Sequence, residues 1–209
     1  MTAPYRPLAA AAWMTGSIAS FSAMAIATRQ IRGAHDTFEI LAYRSVIGWL
    51  LVLGLGAALG QLHRIRRDRL GSHVLRNVVH FSGQSLWFYA VTMIPLAQVF
   101  ALEFTSPIWV ILLAPLFVGE HLTRRKLVSA ALGFAGILIV ARPDFSAINP
   151  GVLAAAGSAV FFATTSLITK ALTKDGEAII SILFWLTLMQ ALFGTVTMLA
   201  DGAASLPTL

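Results

Sequence analysis

Glu103 sits inside an apolar run, four residues before Pro107. A carboxylate at membrane depth is costly, so it binds a proton, pairs with a cation, or hydrogen-bonds to a neighbouring helix as a neutral acid. At about six residues into its helix it lies ~9 Å deep. Ser106 and Val110 share its face at i+3 and i+7. Pro107 deprives the Glu103 carbonyl of its helical donor, which either lines a cavity or allows a bend. Arg44 is the one Lys or Arg well inside an apolar run. Its planar guanidinium suits a bidentate grip on a carboxylate, whether a substrate's or that of Glu39 or Glu103.

A second constellation is Asn77, His80, Gln84 and Trp87, spaced i, i+3, i+7 and i+10 and therefore on one helical face. Such a stripe either lines a wet cavity or bonds helices together. Tyr89, two residues past Trp87, points off it. Ser17 belongs to the stripe Trp13, Ser17, Ser20 and Met24, and Thr165 to Ser158, Phe162, Thr165 and Thr169. Their hydroxyls serve close helix packing or substrate contact. Gly56–Gly60 and Gly133–Gly136 read as packing signals too. No nucleophile–base pair, metal cluster or phosphate loop is legible, which disfavours an enzyme, a metal and a cofactor. His80 has no second ligand at metal spacing on its helix. The chain has no cysteine.

The elements that must carry these residues are membrane helices. Hydrophobic residues make up 57% of the 209 and charged ones only 11%, well below the ~25% charge of a soluble domain. The apolar residues fall in separate runs, most of them long enough to cross a bilayer: Leu8–Thr28, Phe38–Gly60, Val78–Ile94, Ala97–Val118, Leu127–Ala141, Gly151–Leu172 and Ile179–Ala200. The fifth is short, at about 22 Å, and Arg124 to Lys126 extend it by snorkelling. Pro95 separates the third run from the fourth and places a turn at Ile94-Pro95-Leu96. The first run is too long for a signal-peptide core and reads as a spanning helix.

A net charge of +6 raises the question of nucleic acid. The basic residues cluster instead at the ends of apolar runs, without interleaved aromatics, so topology explains them and no nucleic acid is implied. With a cytoplasmic N-terminus, eleven Lys and Arg face inward (Arg6, Arg64, Arg66, Arg67, Arg69, Arg76, Arg124, Arg125, Lys126, Lys170, Lys174). Three face outward (Arg29, Arg32, Arg142). The tail Asp201–Leu209 then lies outside.

Shifting the chain by 141 positions sets Gly16-Ser17 on Gly157-Ser158, Phe21 on Phe162, Thr28-Arg29 on Thr169-Lys170 and Asp36 on Glu177. A repeat unit of five spans, an odd number, returns inverted, which is the architecture of many secondary transporters.

Leu102-Glu-Phe-Thr-Ser-Pro107, Leu116-Phe-Val-Gly-Glu120-His-Leu-Thr123 and Gly133-Phe-Ala-Gly136-Ile-Leu-Ile-Val resemble the EamA family of the drug/metabolite transporter superfamily. Ala42-Tyr-Arg44 and Leu172-Thr-Lys-Asp-Gly-Glu177 fit the same pattern. The resemblance implies an all-α polytopic membrane bundle of two five-helix inverted repeats around a central cavity. It assigns 1–146 to a first repeat of five helices and 147–209 to two helices of a second, truncated repeat. It implies a bacterial inner-membrane, multi-pass secondary transporter of small organic solutes, with Glu103 available for proton coupling. Glu103, Gln84, Trp87, Arg44, Ser17, Tyr89 and Thr165 are its candidate pathway residues. The alternative is a truncated subunit with a structural or assembly role, completed by a second chain or a homo-oligomer.

Overall fold

A computed structural model describes residues 7–31, 37–141 and 149–200. These residues form eight α-helices and no strand. They are α1 (Pro7–Ile31), α2 (Thr37–Ala58), α3 (Leu70–Met93), α4 (Leu96–Glu103), α5 (Ser106–Val118), α6 (Arg124–Ala141), α7 (Pro150–Lys174) and α8 (Ile179–Ala200), with one 3-10 turn at Leu62–Arg64. Each expected apolar run is helical, and α4 with α5 share one of them. Five units have the length and apolarity to cross a membrane: α1, α2, the α4–α5 pair, α7 and α8. The chain is an all-α, multi-pass membrane protein.

α3 begins eight residues earlier than the apolar run that announced it. Its first two turns are largely exposed, yet the polar His73, Arg76 and Asn77 within them are buried, and α7 and α8 supply partners to Arg76 and Asn77. Arg76 Nε donates to Thr169 Oγ1 at 2.6 Å, and Asn77 Nδ2 donates to the Trp185 carbonyl at 3.1 Å. Gln190 Nε2 returns a bond to the Asn77 carbonyl at 3.0 Å. Hydropathy registers what lipid tolerates, whereas a helix surrounded by other helices can carry paired polar groups.

Chain direction is set by local chemistry. Pro95 turns the chain where expected, with Ile94 extended at φ −128° and ψ 163°. Asn149 caps α7, its side chain accepting from the Val152 amide at 3.0 Å, and Pro150 follows at the first helical position. Gly176 has φ +86°, and the Glu177 amide bonds back to the Leu172 carbonyl at 3.0 Å, so the chain reverses at once into α8.

The bundle is held by α3 against α7 and α2 against α8. Small residues permit the close approach. A Cβ at Gly83 would lie 2.7 Å from the Phe161 Cβ, and one at Gly194 would lie 2.9 Å from the Ala42 backbone. Gly133 and Gly136 do not play that part, because nothing lies within 4 Å of a Cβ built at either. The core comprises Leu41, Trp87, Phe88, Val91, Val99 and Ala155.

Helix ends gather on two opposite faces. On one, Arg69 pairs with Asp175, and Glu120 pairs with Lys126 at 2.8 Å and with Lys170. On the other, Arg29 donates to the Val91 and Ile94 carbonyls, and Gly151 meets Met93 and Ile94. Arg6, Arg32, Asp36, Arg142, Pro143 and the tail 201–209 lie outside the described residues.

Candidate functional site

Glu103 is the last residue of α4, where the span is interrupted. Phe104 and Thr105 keep right-handed dihedrals but separate α4 from α5, and Pro107 sits in the first turn of the new helix. The expected shared face of Glu103, Ser106 and Val110 therefore does not run through one unbroken helix. Pro107 begins a helix where its missing amide costs little. Just past the break, Ser106 Oγ donates to the Ala159 carbonyl of α7 at 3.2 Å.

Trp87 of α3 reaches Glu103 directly, its indole Nε1 donating to Glu103 Oε2 at 2.7 Å. Trp87 is 1% exposed and stands among rings. Phe21 of α1 lies 5.1 Å from it and Phe88 lies 5.3 Å away, centroid to centroid. Phe21 in turn meets Phe100 at 5.9 Å. Ser17, Ile18, Phe21, Ser22, Phe100 and Phe104 line a groove of about 410 Å³ between α1 and α4. Across α4, Phe100 and Phe104 also wall a hollow of about 470 Å³ shared with Gly133 and Gly136.

Of the sequence-derived candidates, Trp87 and Glu103 are brought into contact. Gln84 lies one turn before Trp87 on its face, buried, with no partner for Oε1. Arg44 pairs with neither Glu39 nor Glu103. Its guanidinium stands 5.8 Å from the Phe88 ring centroid, Nη1 contacts Met24 Sδ at 3.5 Å, and Nε is buried without a hydrogen bond. Ser17 is exposed on the groove wall and Trp13 on the same stripe is 80% exposed, so the first part of that stripe does not pack against the described helices, whereas Met24 at its other end packs on the core. Tyr89 faces outward at 41% exposure. Thr165 is buried, with its hydroxyl bonded back to the Phe161 carbonyl at 2.9 Å. Neither joins Glu103.

His80 stands 5.7 Å from the Phe162 ring, and Asn77 is consumed by its bonds to α8. The stripe on α3 thus divides. Asn77 in its first half bonds α3 to α8, His80 packs on a ring, and its second half, Gln84 and Trp87, adjoins the carboxylate. Among the described residues no group of three or more His, Cys, Asp or Glu could hold a metal.

The aromatic surroundings of Glu103 were not anticipated from sequence. Phe100 at i−3 from Glu103 carried a usable signal, since it falls on the same helical face. Phe21, from another helix, carried one only through the repeat. Together these groups form a carboxylate held by one neutral donor in an aromatic setting, one ring away from a guanidinium that has no ion pair among the described residues. Such a site can accept a proton or a cationic group at Glu103 and an acceptor at Arg44.

Residues 8–142 match the EamA-like transporter family. The chain is 25% identical over 180 residues to a protein named S-adenosylmethionine uptake transporter from Rickettsia conorii, covering 86% of this chain and 60% of that one. It is 32% identical over 163 residues to a riboflavin transporter from Brucella anthropi, covering 77% of this chain and 57% of that one. A solved crystal structure superposes with a TM-score of 0.66 at 21% identity, covering 91% of this chain and 66% of the other, a likeness of fold. The chain spans about 60% of the length of these curated relatives.

Proposed function

The chain belongs to the EamA-like transporter family, and from that premise we propose that it moves a small organic metabolite across the bacterial inner membrane as a secondary transporter. In this reading the basic face is cytoplasmic, and residues 1–146 and 147–209 belong to two inverted repeats whose interface alternates access. The Trp87–Glu103 bond at the interrupted α4–α5 span carries the proposal. Interrupted helices place polar groups at membrane depth where they border a cavity, and an intramembrane carboxylate marks a substrate or proton path.

Roles follow from the contacts. Glu103 takes up a proton or the cationic part of the solute, and Trp87 fixes its carboxylate. Gln84 Oε1 and Arg44 Nε offer hydrogen-bonding groups that no partner among the described residues occupies. The groove bearing Ser17, Phe21 and Phe104 is the approach. Tyr89 and Thr165 take no part in this reading.

The names of the relatives suggest two probe solutes. Vesicles holding the purified chain are given labelled S-adenosylmethionine or riboflavin, with and without an imposed pH gradient. Glu103→Gln is expected to lower the flux at least about tenfold, and Trp87→Phe, which removes the indole donor, about threefold to tenfold, equivalent to roughly 0.7–1.4 kcal/mol of a lost charge-assisted bond. Unchanged flux in both variants would sink the assigned roles. If the native chain moved neither solute, the reading as a subunit that needs a second chain would gain.

A further inference from the structure

We propose that the basic face of the bundle is a docking surface for anionic phospholipid headgroups of its own leaflet. This goes beyond transport and does not depend on it.

The face has more cations than its carboxylates use. Arg69 pairs with Asp175, and Glu120 takes both Lys126 and Lys170. Arg64, Arg66, Arg67, Arg124, Arg125 and Lys174 form no ion pair among the described residues and are exposed. Clusters of this size just outside spanning helices attract anionic lipid.

Two features separate a lipid surface from a merely solvated one. Apolar side chains are exposed at the same level. Leu59, Leu62 and Leu70 flank the arginine run, and Leu122 precedes Arg124 and Arg125. Leucines at this level fit the acyl boundary, and arginines beside them fit the phosphate layer. The arginine loop is also fixed. The Arg66 amide donates to Ser181 Oγ at 3.1 Å, and Trp185 Nε1 donates to the Arg66 carbonyl at 2.8 Å. Its side chains therefore project from a backbone already ordered, so less conformational freedom is lost on binding.

The helix ends add to this. Arg124 and Arg125 occupy the first turn of α6, where the backbone dipole disfavours cations. Lys126 is relieved there by Glu120, and its two neighbours pair with no carboxylate among the described residues. Phosphodiesters would supply the missing negative charge.

The test uses the purified native chain in neutral detergent, titrated with phosphatidylglycerol, phosphatidylcholine or inorganic phosphate while thermal unfolding and native-mass adducts are read. Phosphatidylglycerol is expected to bind at least about tenfold tighter than phosphatidylcholine and to raise Tm. That preference should vanish when salt rises from about 50 mM to about 500 mM, as screening shortens the Debye length. R124Q/R125Q and R64Q/R66Q/R67Q should each weaken the phosphatidylglycerol response by about fivefold or more. Three results would overturn the proposal: equal binding of the two lipids by the native chain, a response to inorganic phosphate as large as that to phosphatidylglycerol, or a lipid preference that survives high salt. The salt series needs no variant, so a substituted chain that fails to fold leaves the test decisive.

Discussion

Trp87 and Glu103 became a pair through the fold, although each was visible beforehand for its own reason. The acid was conspicuous because lipid penalises it, and the tryptophan because it closed a helical stripe. Their 2.7 Å bond links residues 16 positions apart through the turn at Pro95. Of the even alternatives left for Arg44, the ion pair with Glu39 or Glu103 does not form. Arg44 stands over Phe88 and pairs with no acid among the described residues, which sequence spacing could not foretell because the choice depends on which side chains converge from other helices. Glu120 offers a residue-scale prediction outside the membrane. Hydrogen bonds from Lys126 and Lys170 pull its carboxyl down to about 2 from 4.5. A depressed folded-state pKa stabilises above the unfolded value and loses that contribution as pH falls from about 4.5 toward about 2. Tm of the native chain should therefore drop more between pH 5 and pH 3 than that of Glu120→Gln. The difference is expected to be small because the pair is exposed. Parallel pH curves for the two would show that the contact does not form.

At the scale of elements, the helices were legible and their ends less so. α3 was underestimated by two turns, whose buried Arg76 and Asn77 find partners in Thr169, Trp185 and Gln190 of other helices. The α4–α5 interruption was foreshadowed by Pro107, yet it begins two residues earlier, where the Thr105 amide turns to the Leu102 carbonyl at 3.1 Å while the Phe104 amide still bonds to Phe100. Glycine patterns misled where α6 was concerned, since Gly133 and Gly136 border open space, and they understated Gly194, which meets the backbone of Ala42. Close approach of two helices requires a partner with a matching gap, and one strand of sequence does not display the partner. Gly194→Ala should therefore destabilise the bundle by about 1–3 kcal/mol through overpacking between α2 and α8. Gly16→Ala, with nothing within 4 Å of the added carbon, should be neutral or gain up to about 1 kcal/mol in helix propensity. Thermal unfolding of both in one detergent checks the contrast. Equal Tm values would show that α2 and α8 are not in register at Ala42.

For the whole molecule, membrane class and helix order followed from composition and runs, because lipid imposes a condition on long stretches that sequence alone reveals. Sidedness is proposed from the basic face, where helix ends collect Arg64 to Arg69, Arg124 to Lys126, Lys170 and Lys174. A cysteine-free chain makes this testable. Leu122→Cys should react with a membrane-impermeant maleimide only when the cytoplasmic face is opened, and reaction in intact cells would reverse the orientation. The candidate site was half legible as a cluster: the sequence singled out Glu103, Trp87 and Gln84, which the fold brings near one another, and not the aromatic wall from α1 and α4. The most direct test of the account is solute flux into vesicles at matched protein content, comparing the native chain with Glu103→Gln under an imposed pH gradient. The account predicts flux by the native chain and its loss by at least about tenfold in the variant. Flux by Glu103→Gln equal to the native chain's, with the same gradient dependence, would contradict it.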